Sequence, residues 1–303
     1  MVLILFILVG VAKVIFAKNA QLEDVLLERK LLFFLSNNKL WQMEMEGNII
    51  HEKLVNDAFV VDYDFDEIGN RLFWIDQAGQ IIARNINGQS VDKCMFRYYL
   101  AGSGTRITYN TVTDKFYIID GQSQEIDMIE SMGKNQTVLF KRNPIKEEYV
   151  IREKPRKIVL DRQAGLMFIL TDLNGVKNIY QSKTDGTSKK LLISNIGGDE
   201  IGINSNHKRI FWANTKQKVI ESANYEGQNR AFVAKIKNSV ALNIYNNELF
   251  WIINESEWGC SKSAVYGCRL ESGTCEISPD CRIQLEDQCR NPRSLKIVGL
   301  QRI

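Results

Sequence analysis

Histidine is almost missing from this chain: His51 and His207 are the only two among 303 residues. Catalysis through an imidazole base, and metal sites built on histidine, have almost nowhere to reside. Other catalytic signatures are absent as well: there is no Gly-x-Ser-x-Gly elbow and no His-Glu-x-x-His pair. Gly102-Ser103-Gly104 lacks the third glycine and the following helix that a dinucleotide site requires. No Cys-x-x-Cys pair occurs, which removes the commonest zinc signature. Charge of one sign is also lacking: 39 Lys and Arg stand interspersed with 36 Asp and Glu, so no nucleic-acid partner is expected. The apolar run Val2 to Ala12 falls short of the roughly 20 residues of a membrane span. With Val14-Ile15-Phe16-Ala17 before a polar stretch, it reads as a signal peptide over 1–17, cleaved after Ala17 or after Ala12. Residues 18–303 are then expected outside the cell, with no membrane span.

What the chain does contain is a repeat. Arg71-Leu-Phe-Trp-Ile-Asp76, a polar gap, Ile81-Ile-Ala and a turn ending in Gly88 return as Arg209-Ile-Phe-Trp-Ala-Asn214, Val219-Ile220 and Gly227. The third position of this core recurs at Phe34, Trp74, Ile118, Leu170, Trp212 and Trp251, a period of roughly 40 to 50 residues. Turn glycines follow at 47, 88, 133, 186, 227 and 273, each succeeded by a further apolar run. A fourth apolar run precedes every core but the first. Its counterpart there is Pro292-Arg-Ser-Leu-Lys-Ile-Val298, which copies the layout of Pro155-Arg-Lys-Ile-Val-Leu160. Four strands per unit predict an all-β, six-bladed β-propeller, closed by N- and C-terminal strands in one blade.

The run Pro155-Arg-Lys-Ile-Val-Leu-Asp161, with Gly165-Leu-Met-Phe168 and Thr171-Asp172, resembles the YWTD repeat (LDL-receptor class B) of LDL-receptor relatives and nidogen. Leu72 to Asp76 and Arg209 to Trp212 fit the same pattern, and the resemblance extends over about Lys30 to Gln301. The motif aspartate is replaced by Ser36, Asn214 and Ile253 in the first, fifth and sixth units, which is expected to weaken polar ties between blades. In the fourth unit the alignment leaves two registers open, one residue apart. The resemblance implies a protein that binds proteins and does not catalyse, with no cofactor. It also places Asp62-Tyr-Asp-Phe-Asp66 at the opening of the repeat turn, so these carboxylates are expected to brace a turn rather than hold calcium. In the Wnt co-receptor type an arginine follows the first core and an asparagine lies at the central ring. Asn37 or Asn38 and Asp199 stand there here, so the same ligand is not implied.

Cys94 stands apart, while Cys260, Cys268, Cys275, Cys281 and Cys289 crowd into a segment over 254–290. An even number behind a signal peptide predicts disulfides, and Cys268 and Cys275 flank one turn so that they can face each other. Asn135 and Asn254 open N-glycosylation triplets, both where a turn is expected. The charged insertion from Lys141 to Glu153 reads as an exposed loop.

In a propeller the residues at the start of each innermost strand ring the central opening. Here these are Asp57, Thr105, Arg156, Asp199, Val240 and Arg293, with Lys157 and Glu200 adjoining. A ring of acids and arginines can grip a polar ligand by charge-assisted hydrogen bonds. The expected partner is an extracellular protein or peptide. An alternative is a small hydrophobic or pigment-like ligand in the central channel, which would need apolar and aromatic walls; a calcium-dependent hydrolase is the least favoured reading. His51 on an outer strand and His207 in a turn are expected at the surface.

Overall fold

The computed structural model describes residues 29–44, 52–53, 59–86, 91–99, 102, 104–140, 153–236, 239–257, 260–271, 274–276, 282–284 and 293–300. All regular structure among them is β-strand, arranged as six antiparallel sheets. Blade 1 runs from the inside outward as Arg293–Leu300, Arg29–Ser36, Lys39–Glu44 and Glu52–Lys53, so the C-terminal strand supplies its innermost element. The innermost strands of blades 2 to 6 are Val60–Asp66, Arg106–Asn110, Lys154–Asp161, Ile201–Asn204 and Ser239–Tyr245. Neighbouring inner strands touch all the way round, and the ring shuts between blades 6 and 1.

The apolar repeat explains this arrangement. Alternate side chains of each second strand point to opposite sheet faces, so each blade buries both faces against its neighbours. Phe73 and Ile75 pack toward blade 3, while Trp74 packs toward blade 1 among Phe33, Tyr63 and Phe65. Trp212 and Trp251 do the same toward blades 4 and 5. The core is therefore a set of wedges between blades, and no blade can bury its faces alone. In blade 4 it is Ile169, not Leu170, that occupies the place of Trp74. It pairs with Ile158 as Trp74 pairs with Tyr63, and it faces blade 3 beside Tyr117.

The motif aspartates work inside their own blades. Asp76 accepts the Gln80 N–H at 2.8 Å, Asp172 accepts that of Gly175 at 2.8 Å, and Asn214 substitutes by accepting that of Gln217 at 3.1 Å. Their loss elsewhere thus touches turns, not ties between blades. Among the turn glycines, Gly133, Gly186 and Gly227 all have left-handed φ of 76 to 85°. Each lies against the outer strand of the preceding blade, so a Cβ on Gly227 would come within 2.5 Å of the Leu192 carbonyl oxygen. Gly47, Gly88, Gly273, the segment 1–28, His51 and residues 141–152 lie outside the described residues.

Three expectations about the surface need revision or placement. Cys268 and Cys275 do form a disulfide, with Cα atoms 5.7 Å apart. Cys94, however, is a free, exposed thiol: it sits on the outer strand of blade 2, whereas Cys268 and Cys275 belong to blade 6. Cys281 and Cys289 lie outside the described residues, and Cys260 begins a strand. Asn135 lies exposed in a turn with φ 52°. Asn254 is not in a turn: the insertion continues blade 6 as the paired strands Glu248–Glu257 and Cys260–Glu271, and Asn254 stands opposite Ser263. Replacing Cys268 and Cys275 together by serine is expected to cost about 2 kcal/mol, because the closed loop is short. Urea denaturation of the double variant checks this, and an unchanged midpoint would contradict it.

Candidate binding face and axial chamber

The inner strands have one edge without a strand partner, and side chains of the neighbouring blade satisfy it. Asp62 and Asp64 accept the N–H groups of Ile107 and Tyr109, each at 2.9 Å, and Thr108 donates to the Ile158 carbonyl at 3.3 Å. Across the closure, Asn243 accepts the Ile297 N–H at 3.0 Å. The Asp62-to-Asp66 tract thus has two roles. Asp66 braces the turn, accepting from Ile68 N–H and Arg71, whereas Asp62 and Asp64 tie blade 2 to blade 3.

These inner strands enclose an axial chamber of about 510 Å³. Near the face where they begin, its wall carries Asp62, Arg106, Lys157, Glu200 and Ser294; deeper lie Asp64, Thr108, Asn243 and Lys296. The ring is therefore one residue further along each strand than the sequence placed it in blades 3, 4, 5 and 1. β-Bulges explain part of the slip: pairing jumps from Pro155–Thr171 to Lys157–Leu170, leaving Arg156 outside the ladder, and similar shifts occur in blades 1, 2 and 6. Thr105 is fully buried, and its hydroxyl accepts the N–H groups of Gly102 and Gly121, so it is a structural lock and not a rim residue. Lys157 and Glu200 do face the chamber and pair with each other.

Arg156 and Asp199 stand outside the chamber on the surrounding face. Arg156 pairs with Asp172 at 2.8 Å and is half exposed; Asp199 pairs with Lys177 and is largely exposed. Asp57 lies outside the described residues; Arg293 and Val240 lie in inner strands, Arg293 opposite Leu35. Two residues that the sequence reading passed over join this face: Phe59 and Tyr99 are 60% and 86% exposed. Both adjoin the blade 2 turn, since the Phe59 carbonyl accepts the Gln77 N–H and Tyr98 donates to the Gly79 carbonyl. The pair Tyr98-Tyr99 was the available signal, because neighbouring residues of an extended segment face opposite ways.

Burial pushes the Asp62 carboxyl up to about 6, against the opposing pull of Arg106 and the Ile107 N–H. Asp64 is held below the usual carboxylate range although it is equally buried, because Lys296 at 3.1 Å and Arg162 at 3.4 Å flank it. His207 is exposed in its turn. Among the described residues, no three His, Cys, Asp or Glu side chains gather as a metal-holding group, and no helix is long and apolar enough to cross a membrane.

No protein-family model matches the chain. Low-density lipoprotein receptor-related protein 5 of mouse and of human is 26% identical over 110 residues, 35% of this chain. The vitellogenin receptor of Solenopsis invicta is 24% identical over 174 residues, 56% of the chain. The matched stretches are 7% and 9% of those relatives' lengths. A propeller in the crystal structure of the nidogen/laminin complex superposes with a TM-score of 0.70 at 18% identity, over 90% of this chain and all of that one. A luciferin-regenerating enzyme superposes with a TM-score of 0.55 at 10% identity, over 80% of this chain and 91% of that one, a likeness of fold alone.

Proposed function

We propose, from the premise that this chain is a YWTD (LDL-receptor class B) β-propeller, that it is a non-enzymatic extracellular protein binding a protein or peptide partner. The face used is the one on which the inner strands begin. One observation carries the reading: exposed Phe59 and Tyr99 share a face with the half-exposed ion pairs Arg156–Asp172 and Lys177–Asp199. Aromatic anchors beside arginines are the composition of protein-binding hot spots. The apolar run Val2 to Ala12 supports export, and exposed Asn135 suits a glycosylated surface. The hydrophobic-carrier reading loses ground, because the chamber wall holds Asp62, Asp64, Glu200, Arg106, Lys157, Arg162 and Lys296. An apolar ligand there would desolvate charges without pairing them.

The test is affinity capture from extracellular fluid with the wild-type chain, followed by binding constants for each captured protein. The double variant Phe59→Ser/Tyr99→Ser is expected to bind about tenfold more weakly or worse. Ile68→Ser/Val112→Ser, exposed on turns of the opposite face, is expected to bind as wild type. The reverse pattern would move the interface to the other face; equal binding by both variants would sink the assignment.

A further inference from the structure

We propose that the axial chamber is itself a binding site for a small organic carboxylate, anchored by Arg106 with Lys296 and Arg162 beneath it. This does not depend on the partner-binding reading. The starting point is an imbalance in the wall. Lys157 and Glu200 cancel each other, and Glu67 lies exposed at the far rim. Among the described residues, what remains inside is three cations, Arg106, Arg162 and Lys296, against two carboxylates, Asp62 and Asp64.

The cations are also unevenly used. Arg162 and Lys296 both contact Asp64, which also accepts the N–H groups of Tyr109 and Phe65. Arg106 donates one N–H to its neighbour's carbonyl, Thr105 O, at 2.9 Å. Asp62 on the adjoining strand attracts it across a longer gap, but no carboxylate among the described residues stands within ion-pair distance of it. Asp62 instead spends an oxygen on the Ile107 N–H. A guanidinium lining a cavity, with no carboxylate paired to it, presents the planar donor fork that a carboxylate satisfies with two parallel bonds.

The strands set the reach. Arg106 and Thr108 are two residues apart on one inner strand, and Lys296 is at the level of Thr108. Two residues of strand rise span about 6 to 7 Å. A compact acid of a few carbons can therefore place one carboxylate on Arg106 and still feel the positive charge of Lys296 and Arg162. The chamber volume of about 510 Å³ is within the range of small-molecule sites.

Isothermal titration calorimetry on the full chain tests the assignment, with succinate as the probe and succinamide as its uncharged counterpart. Saturable succinate binding is expected, with succinamide at least about tenfold weaker, a difference of about 1.4 kcal/mol. Arg106→Gln is expected to weaken succinate by at least about tenfold, and Lys134→Gln, exposed and remote from the chamber, to leave it unchanged. A thermal melt confirms that the Arg106 variant is folded; should it not fold, the succinate and succinamide comparison on the wild type decides alone. Absence of saturable succinate binding, equal affinity for succinamide, or full affinity in folded Arg106→Gln would each overturn the proposal.

Discussion

Gly198→Ala is expected to destabilise the protein by about 3 kcal/mol or more, the range reserved for substitutions that force backbone to move. A Cβ at this position would lie 1.5 Å from the Ala213 carbonyl oxygen, and one on Gly197 would lie 2.0 Å from Asn214 Oδ1. The Gly197-Gly198 segment leads from blade 4 into the inner strand of blade 5 and crosses directly over the second strand of that blade. It cannot lift away cheaply. Thr215 donates to the Gly197 carbonyl through both its N–H at 3.1 Å and its hydroxyl at 2.7 Å, and Ala213 N–H reaches Glu200 O at 3.2 Å. Any shift that accommodates a methyl group gives up some of these bonds. Gly175→Ala is the control: its φ of +83° makes alanine costly by about 1 kcal/mol, but nothing lies within 4 Å of the added carbon. Equilibrium unfolding in guanidinium chloride separates the two. If Gly198→Ala loses no more than Gly175→Ala, the close approach is not the reason for glycine there.

The contrast shows what a repeat can and cannot reveal. Spacing of the cores, the turn glycines and the Pro292 to Val298 copy was enough to place six blades and the closing strand, because each depends on periodicity alone. Cys268 and Cys275 were legible for the same reason, as they bracket a hairpin turn. In blade 4 the ring slips by one residue because a bulge after Pro155 defeats a fixed count along the strand, whereas the ladders of blades 3 and 5 run without a register shift and owe their slip to no bulge. Arg156 and Asp199 fall outside the chamber, whereas Lys157 and Glu200, expected to adjoin the ring, face the axis. Gly197-Gly198 was visible as a pair, but its necessity comes from blade 5 crossing beneath it, a contact between segments that periodicity does not express. Phe59 was hidden among apolar residues, since nothing local tells an exposed phenylalanine at a strand start from a buried one within it.

The carboxylates at Asp62 and Asp64 were the least legible, and they give the sharpest pair of expected results. Both lie on the same inner strand, both are buried, and both cap a backbone N–H of blade 3. Their surroundings differ in charge. Asp62 faces Arg106 from blade 3 and, along its own strand, the negative Asp64; Asp64 faces Lys296 from blade 1 and Arg162 from blade 4. The folded Asp62 carboxyl titrates near 6 against an unperturbed 3.8, so folding takes up a proton between those values. Its contribution to stability therefore falls as pH rises from about 3.8 to 6, and above that it is a constant cost of up to about 3 kcal/mol. Asp62→Asn keeps an oxygen for the Ile107 N–H and removes the charge, so it is expected to stabilise the protein at pH 7.5 and to gain nothing at pH 3.5. Asp64 has the opposite sign. Its lowered value means that its stabilisation is complete above the unfolded value of 3.8 and is lost as pH falls through the folded one. Asp64→Asn strands Lys296 and Arg162 beside a neutral group, and the expected loss at pH 7.5 is about 3 to 5 kcal/mol. Urea titrations of both variants at the two pH values decide the matter. Two substitutions of the same residue type, two positions apart, should move stability in opposite directions, and a shared direction would mean that burial rather than the neighbouring cations sets the energetics of the axis.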